Sequence, residues 1–296
     1  MNTAYAVDLL FESVKTKGPV CIGLDSEAEY VPQSERRKAE SAAISVLHFN
    51  RAVIDATYDI AACYKVQIAP YEEMGIAGLS AYRDTLCHIR SKRSLIIADI
   101  KRGDIAETAK HYAKAHFSGD FDADFATLNP YMGMDSLAPW LKEAEAKGKG
   151  AFVLIRTSNP GMKDFECQKL ANGKPLYYEI GDRLAELAMR NMGVMGYGIF
   201  GAVVGCTGKE EAAEIRERYK NLFFLIPGYG AQGGAAENAA LLLREGNGGV
   251  VNASRSIITA WQKEEGAENA DNSFAAEAAR RAAVKMRDDI LNALRK

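Results

Sequence analysis

No apolar run in this chain of 296 residues approaches the roughly 20 residues of a membrane-spanning helix; the longest are strand-sized. The first residues, Met1-Asn2-Thr3-Ala4-Tyr5-Ala6-Val7-Asp8, lack the basic region and apolar core of a secretory leader, so none is expected. An excess of charge of either sign is missing too. Lys and Arg total 37 against 39 Asp and Glu, a formal net charge of -2, and no long basic run occurs. That balance carries no electrostatic footprint for nucleic acid, and neither a nucleic-acid nor a membrane partner is expected. Histidine is scarce: His48, His88, His111 and His116 are scattered, and the last two are five apart, the wrong spacing for one helical face. The five cysteines, Cys21, Cys63, Cys87, Cys167 and Cys206, show no paired spacing. Neither a metal site nor a disulfide framework is expected, and the thiols read as reduced in a cytoplasmic protein. Internal repeats, low-complexity tracts and linkers are likewise missing, which leaves residues 1–296 as a single domain.

What is present is a rhythm. With 48% apolar and 26% charged residues the chain has the composition of a globular protein with a large core. Apolar strand-like runs begin at Val20, Tyr64, Leu95, Phe125, Ala151, Phe200, Leu222 and Gly249. Helix-like patterns lie between them, over residues 38–57, 78–90, 105–117, 137–146, 177–189, 209–219 and 236–244, and a long one over 274–295 closes the chain. Eight strands alternating with helices predict a parallel α/β sheet, and in this length a single (β/α)8 TIM barrel. The alternative is an open doubly wound sheet, but no G-x-G-x-x-G follows the first strand. The polar stretch 162–174 interrupts the rhythm and is expected to be a surface excursion.

In such a barrel the functional groups gather at the C-terminal ends of the strands. Those ends carry Asp25, Lys65, Asp99 with Lys101, Asn129, Thr157 with Ser158, Pro227-Gly228-Tyr229-Gly230, and Ser254-Arg255. Asp99 and Lys101 project from one strand on the same face. Two bland readings compete: an exposed Asp99–Lys101 ion pair, and a capping box formed by Asp104 and Glu107. Two lysines, several carboxylates and an arginine on one rim are not the pattern of a solvated face. The last two loops, with their glycines, Gln232 and Arg255, fit a phosphate, since glycines let backbone N–H groups approach an anion and Arg255 offers a bidentate fork. The expectation from the residues alone is a site for a small phosphorylated molecule beside a Lys/Asp cluster. Trp140 and Trp261 read as packing between helices.

Asp99-Ile100-Lys101-Arg102-Gly103-Asp104-Ile105, with Thr108 beyond it, resembles the D-x-K-x-x-D-I-x-x-T signature of orotidine 5′-phosphate decarboxylases. Gly23-Leu24-Asp25, Tyr64-Lys65-Val66, Pro227-Gly228 and Ser254-Arg255 are similar to that family as well. Arg156-Thr157-Ser158-Asn159-Pro160-Gly161, the chain length and Pro227-Gly228-Tyr229-Gly230-Ala231-Gln232 resemble its longer bacterial subgroup. The resemblance implies cofactor-free conversion of orotidine 5′-phosphate to UMP, the last step of pyrimidine nucleotide synthesis. It implies a charged tetrad of Lys65, Asp99, Lys101 and Asp104, and a homodimer in which Asp104, Ile105 and Thr108 reach the partner's site. Asp25 would hold a ribose hydroxyl, Ser158 the pyrimidine edge, and Gln232 and Arg255 the 5′-phosphate, with Pro227 and Ser254 lining the same pocket. Two rivals differ in testable ways: a Mg²⁺-dependent sugar-phosphate decarboxylase or hexulose-phosphate synthase that shares the motif, and a catalytically silent protein that binds the nucleotide.

Overall fold

The computed structural model of the chain describes residues 4–205, 209–230 and 236–295. Eight parallel strands close on themselves in sequence order: β1 Val20–Gly23, β2 Cys63–Gln67, β3 Leu95–Arg102, β4 Phe125–Leu128, β5 Gly150–Arg156, β6 Phe200–Val204, β7 Phe224–Ile226 and β8 Gly249–Ala253. β8 pairs with β1, Val20 opposite Val251, so no strand edge is left open. The expected (β/α)8 barrel is therefore the fold. Its strands are buried on both faces, barrel interior and helix side, which is why they read as continuous apolar runs with no alternation.

The interior is filled below its C-terminal mouth. Phe125 and Phe152, two residues before Thr127 and Leu154 on the same strand faces, pack with ring centroids 5.1 Å apart. Gly201 on β6 makes room for Phe152, since a Cβ there would lie 3.0 Å from its ring, and Gly150 on β5 does so for Phe125, where a Cβ would lie 2.7 Å from the ring. This plug forms a floor on which polar groups at the mouth can stand.

Most helix limits agree with the sequence pattern to within two or three residues, but two differences are instructive. The helix expected over 38–57 starts later, as Ala42–Thr57, and a separate short helix that was not expected, Gln33–Lys38, precedes it. Ala39 is extended between them, and Ser41 caps the second by accepting a hydrogen bond from Ile44 N at 3.3 Å. The helix Ala6–Lys17 was not anticipated, although Ala6, Val7, Leu10 and Val14 give it a buried stripe at helical spacing. It docks at the far end of the barrel through Asp8, which accepts hydrogen bonds from Tyr5 N and Met195 N. The closing helix, Asn272–Ala293, starts at Asp271, whose carboxylate accepts from Phe274 N at 2.8 Å. Its buried alanines let it lie close to the helix Ala42–Thr57. Trp140 and Trp261 are both buried in helix packing, as expected. No helix among the described residues is long and apolar enough to cross a membrane.

Candidate active site

The site begins with an irregularity at the end of β3. Ala98 pairs with Ala126 and Arg102 with Leu128, so β3 spends four residues where β4 spends two. The excess is taken up as a bulge in which Lys101 adopts a left-handed backbone, φ +44°. The side chain of Thr127 holds it there. Its Oγ1 accepts hydrogen bonds from Ile100 N (3.0 Å) and Lys101 N (2.9 Å) and donates to Asp99 Oδ1 (2.9 Å). Two lone pairs and one proton are all a hydroxyl has, and all are used. Thr127 went unremarked in the sequence because a threonine in a strand is an ordinary residue; only the bulge gives it three partners.

Around Asp99 the charges alternate in a line. Asp25 Oδ1 accepts from Lys65 Nζ at 3.0 Å, and Lys65 Nζ also donates to Asp99 Oδ2 at 2.6 Å. The other oxygen, Asp99 Oδ1, accepts from Lys101 Nζ at 2.6 Å. Side-chain exposure rises outward from the middle: 7% for Asp99 and 6% for Lys65, against 34% for Asp25 and 48% for Lys101. The exposed ion pair considered from sequence is thus a pair with one partner buried. Burial by itself would raise the Asp99 carboxyl, but the charges and hydrogen bonds of Lys65 and Lys101 outweigh it and hold the group well below the ordinary carboxylate range. Burial would lower Lys65, and Asp25 and Asp99 reverse that and push it well above an ordinary lysine. The array is therefore a fixed ionic one, with the Lys101 ammonium as the cation that faces outward.

It faces a cleft of about 550 Å³, lined by Asp25, Lys65, Asp99 and Lys101 on one side and by Ser158, Pro227, Tyr229, Asn252, Ser254 and Arg255 on others. Ser254 Oγ donates to Asp25 Oδ2 at 2.8 Å. Gly23 is what allows this, since a Cβ there would fall 1.9 Å from Ser254 Oγ. Gly205 plays the same part for Ser158, whose N, Cα and Cβ all lie 2.9 Å from where its Cβ would be. Arg255 is exposed and forms no ion pair with any described residue, so its guanidinium is available to an anion.

Of the residues selected from sequence, Asp25, Lys65, Asp99, Lys101, Ser158, Pro227, Ser254 and Arg255 converge on this cleft. Asp104, Ile105 and Thr108 do not. They lie past the bulge on the outer surface, where Asp104 Oδ1 accepts only from Ile105 N at 2.8 Å and Ile105 and Thr108 are exposed. The helix Ala106–His116 has no side-chain cap, so the capping box considered for Asp104 is not formed. Gln232 lies outside the described residues.

The polar stretch 162–174 is more than the surface excursion expected of it. It carries Glu166, whose carboxylate bonds both the N–H and the hydroxyl of Thr157, each at 2.7 Å. Asn252, Tyr30 and Glu27 also line the cleft and were not singled out. Asn252 sits mid-strand among apolar neighbours, a signal that could have been read.

The chain matches the model of the orotidine 5′-phosphate decarboxylase / HUMPS family over residues 18–270. It is 52% identical over 288 residues to an orotidine 5′-phosphate decarboxylase of Clostridium acetobutylicum, covering 97% of this chain and 99% of that one. With one from Clostridium perfringens strain 13 the identity is 51% over 289 residues, 98% and 99% of the two chains. Among solved structures it resembles the OMP decarboxylase of Leishmania donovani, with a TM-score of 0.75, 29% identity and 99% coverage of both chains. It also resembles the UMP synthase of that organism, with a TM-score of 0.74 and 32% identity over 96% of this chain and 57% of the other.

Proposed function

This chain belongs to the orotidine 5′-phosphate decarboxylase / HUMPS family, and from that premise we propose that it converts orotidine 5′-phosphate to UMP and CO₂ in the cytoplasm, without metal or cofactor. The observation that carries the reading is the alternating line Asp25–Lys65–Asp99–Lys101, buried in the middle and open to the cleft at Lys101. Loss of CO₂ from C6 leaves an electron pair in the ring plane with no adjacent carbonyl to delocalise it. A fixed ammonium group is then the group to meet it, because preorganised charge in a water-poor site stabilises developing charge without reorganising. One Lys101 proton is committed to Asp99, and the others remain for the substrate. Lys101 gives one of them to C6 as the C–CO₂ bond breaks, forming the new C–H bond, and recovers it from water after release. Asp99 lies beside the departing carboxylate, and Lys65 and Thr127 hold it in place.

The remaining lining divides along the nucleotide. Asp25, held by Lys65 and Ser254, takes a ribose hydroxyl. Ser158 meets the pyrimidine edge, and Arg255 with Gln232 takes the 5′-phosphate beside Pro227. Asp104, Ile105 and Thr108 act on the partner's site in a homodimer, Asp104 completing the tetrad there. Support comes from the exposed apolar residues Ile76, Ile105, Tyr131 and Met132, which follow three neighbouring strands at the same end of the barrel. Such a patch is costly on a monomer.

The synthases that share the family model use Mg²⁺, which provides the test. Purified protein treated with EDTA and given orotidine 5′-phosphate is expected to consume its ultraviolet absorbance and yield UMP. No conversion, together with Mg²⁺-dependent activity on a hexulose phosphate, would overturn the reading. UMP binding without turnover would make the protein a silent binder.

A further inference from the structure

We propose that Glu166, in the polar stretch between β5 and the helix Leu176–Arg190, is a positioning residue that sets recognition of the substrate's base by fixing Thr157 and Ser158. The inference rests on the reading of Ser158 as the group that meets the pyrimidine edge.

Every polar group of Thr157 is committed. Its N–H donates to Glu166 Oε2 at 2.7 Å and its carbonyl accepts from Arg156 Nη1 at 2.6 Å. Its hydroxyl lies 2.7 Å from both Glu166 Oε1 and Asn159 Oδ1 and has one proton to give them. Arg156 is in turn held by Glu211, Nε and Nη2 donating to the two carboxylate oxygens at 3.1 and 2.8 Å. Loops at the mouth of a barrel ordinarily keep much of their backbone free for water. Here a carboxylate takes two donors from one residue, and hydrogen bonds to charged acceptors are the stronger kind.

Glu166 is itself anchored. Its carbonyl accepts from Tyr177 N and that of Gln168 from Leu176 N, both at 2.9 Å, so the stretch is tied to the first turn of the following helix. On the other side Ser158 rests against Gly205, at whose position any side chain would collide with it. Gly205 N also donates to the Arg156 carbonyl at 2.7 Å. Ser158 is thus held between a backbone with no room to yield and a neighbour with no free polar group. Glu166 supplies the one charged acceptor for Thr157. A stretch that merely covered surface would have no need of a carboxylate aimed back at the cleft wall.

The test separates base recognition from general integrity. KM and kcat for orotidine 5′-phosphate, and affinities for UMP and for ribose 5-phosphate, which lacks the base, are measured on wild type and Glu166→Gln. Glutamine keeps the shape but replaces the charged acceptor with a neutral amide, whose oxygen accepts from the Thr157 N–H while its N–H₂ donates to the hydroxyl, leaving that hydroxyl's proton to Asn159. We expect KM to rise and UMP affinity to fall by about five- to tenfold, the scale of exchanging a charged hydrogen-bond acceptor for a neutral one, with ribose 5-phosphate unchanged within about twofold. If Glu166→Gln does not fold, Thr157→Val removes the hydroxyl alone and is expected to show the same selectivity at smaller size. Equal losses for UMP and ribose 5-phosphate, or unchanged UMP affinity and KM, would overturn the inference. Failure of the underlying reading looks different: the wild type would bind UMP no better than ribose 5-phosphate, and the inference would fall with it.

Discussion

Replacing Thr127 by valine keeps the shape of the side chain and removes one oxygen. That oxygen serves Ile100 N, Lys101 N and Asp99 Oδ1 at 2.9–3.0 Å, and the residue is 1% exposed. Two backbone N–H groups are then left without an acceptor. Each costs about 1–3 kcal/mol, the Lys101 one at the lower end because its residue is half in water, so the variant should lose about 2–4 kcal/mol of stability. The bulge also loses the grip that holds Lys101 in the left-handed region, where a non-glycine residue is disfavoured by about 1–2 kcal/mol. Relaxation of that residue moves the ammonium away from Asp99, and misplacement of a reacting group by an ångström costs about 100-fold in rate. Urea denaturation and kcat on the same preparation measure both effects. Thr127→Ser, which keeps the oxygen, should restore most of each. A Thr127→Val protein with wild-type stability and wild-type kcat would refute the argument that this hydroxyl builds the site.

Three further outcomes follow from the geometry. Gly23→Ala puts a Cβ 1.9 Å from Ser254 Oγ and should push Ser254 off Asp25, raising KM more than it lowers kcat; steady-state kinetics of the purified variant check it. His116 is buried between the Phe121 and Trp140 rings, and burial, with Arg102 nearby, lowers its pKa from 6.5 to about 4. The unfolded chain then binds a proton that the folded one refuses, so stability is full above pH 6.5 and falls as the pH drops toward 4. His116→Phe should flatten the decline between pH 7 and pH 5 by about 2 kcal/mol in chemical denaturation; an unchanged slope would contradict the assignment. For the dimer, Lys101→Ala and Asp104→Ala proteins, each inactive alone, should recover about a quarter of wild-type activity when unfolded and refolded together, since only mixed dimers hold one intact site. No recovery would place Asp104 outside the partner's site.

Much of this could be read from the chain because barrel strands advertise themselves. Their two-sided burial gives apolar runs, and the polar residues that end those runs are the ones at the mouth, so Asp25, Lys65, Asp99, Lys101 and Ser254 were legible together. Thr127 and Glu166 were not. Each acts through hydrogen bonds whose partners are set by the packing of other segments: the extra β3 residues in one case, a fold-back of the stretch 162–174 in the other. Sequence spacing reports neither. The helix Ala6–Lys17 is a different kind of omission, for its apolar spacing was present and the segment was weighed only as a leader. Asp104, Ile105 and Thr108 sit three to seven residues beyond Lys101, and past the left-handed turn they lie on the outer surface; spacing along a regular strand does not foresee this, and only the family resemblance set them apart from the chain's own cleft.

The central claim is that the outward-facing ammonium of Lys101 stabilises and protonates C6, and the rate of orotidine 5′-phosphate conversion by Lys101→Ala, measured beside its affinity for UMP, tests it most directly. Because one side chain supplies both the charge and the proton, the account predicts a kcat at least about 10³-fold below wild type, with UMP still bound. Turnover within about tenfold of wild type would be less than the removal of a general acid alone costs, and would contradict it.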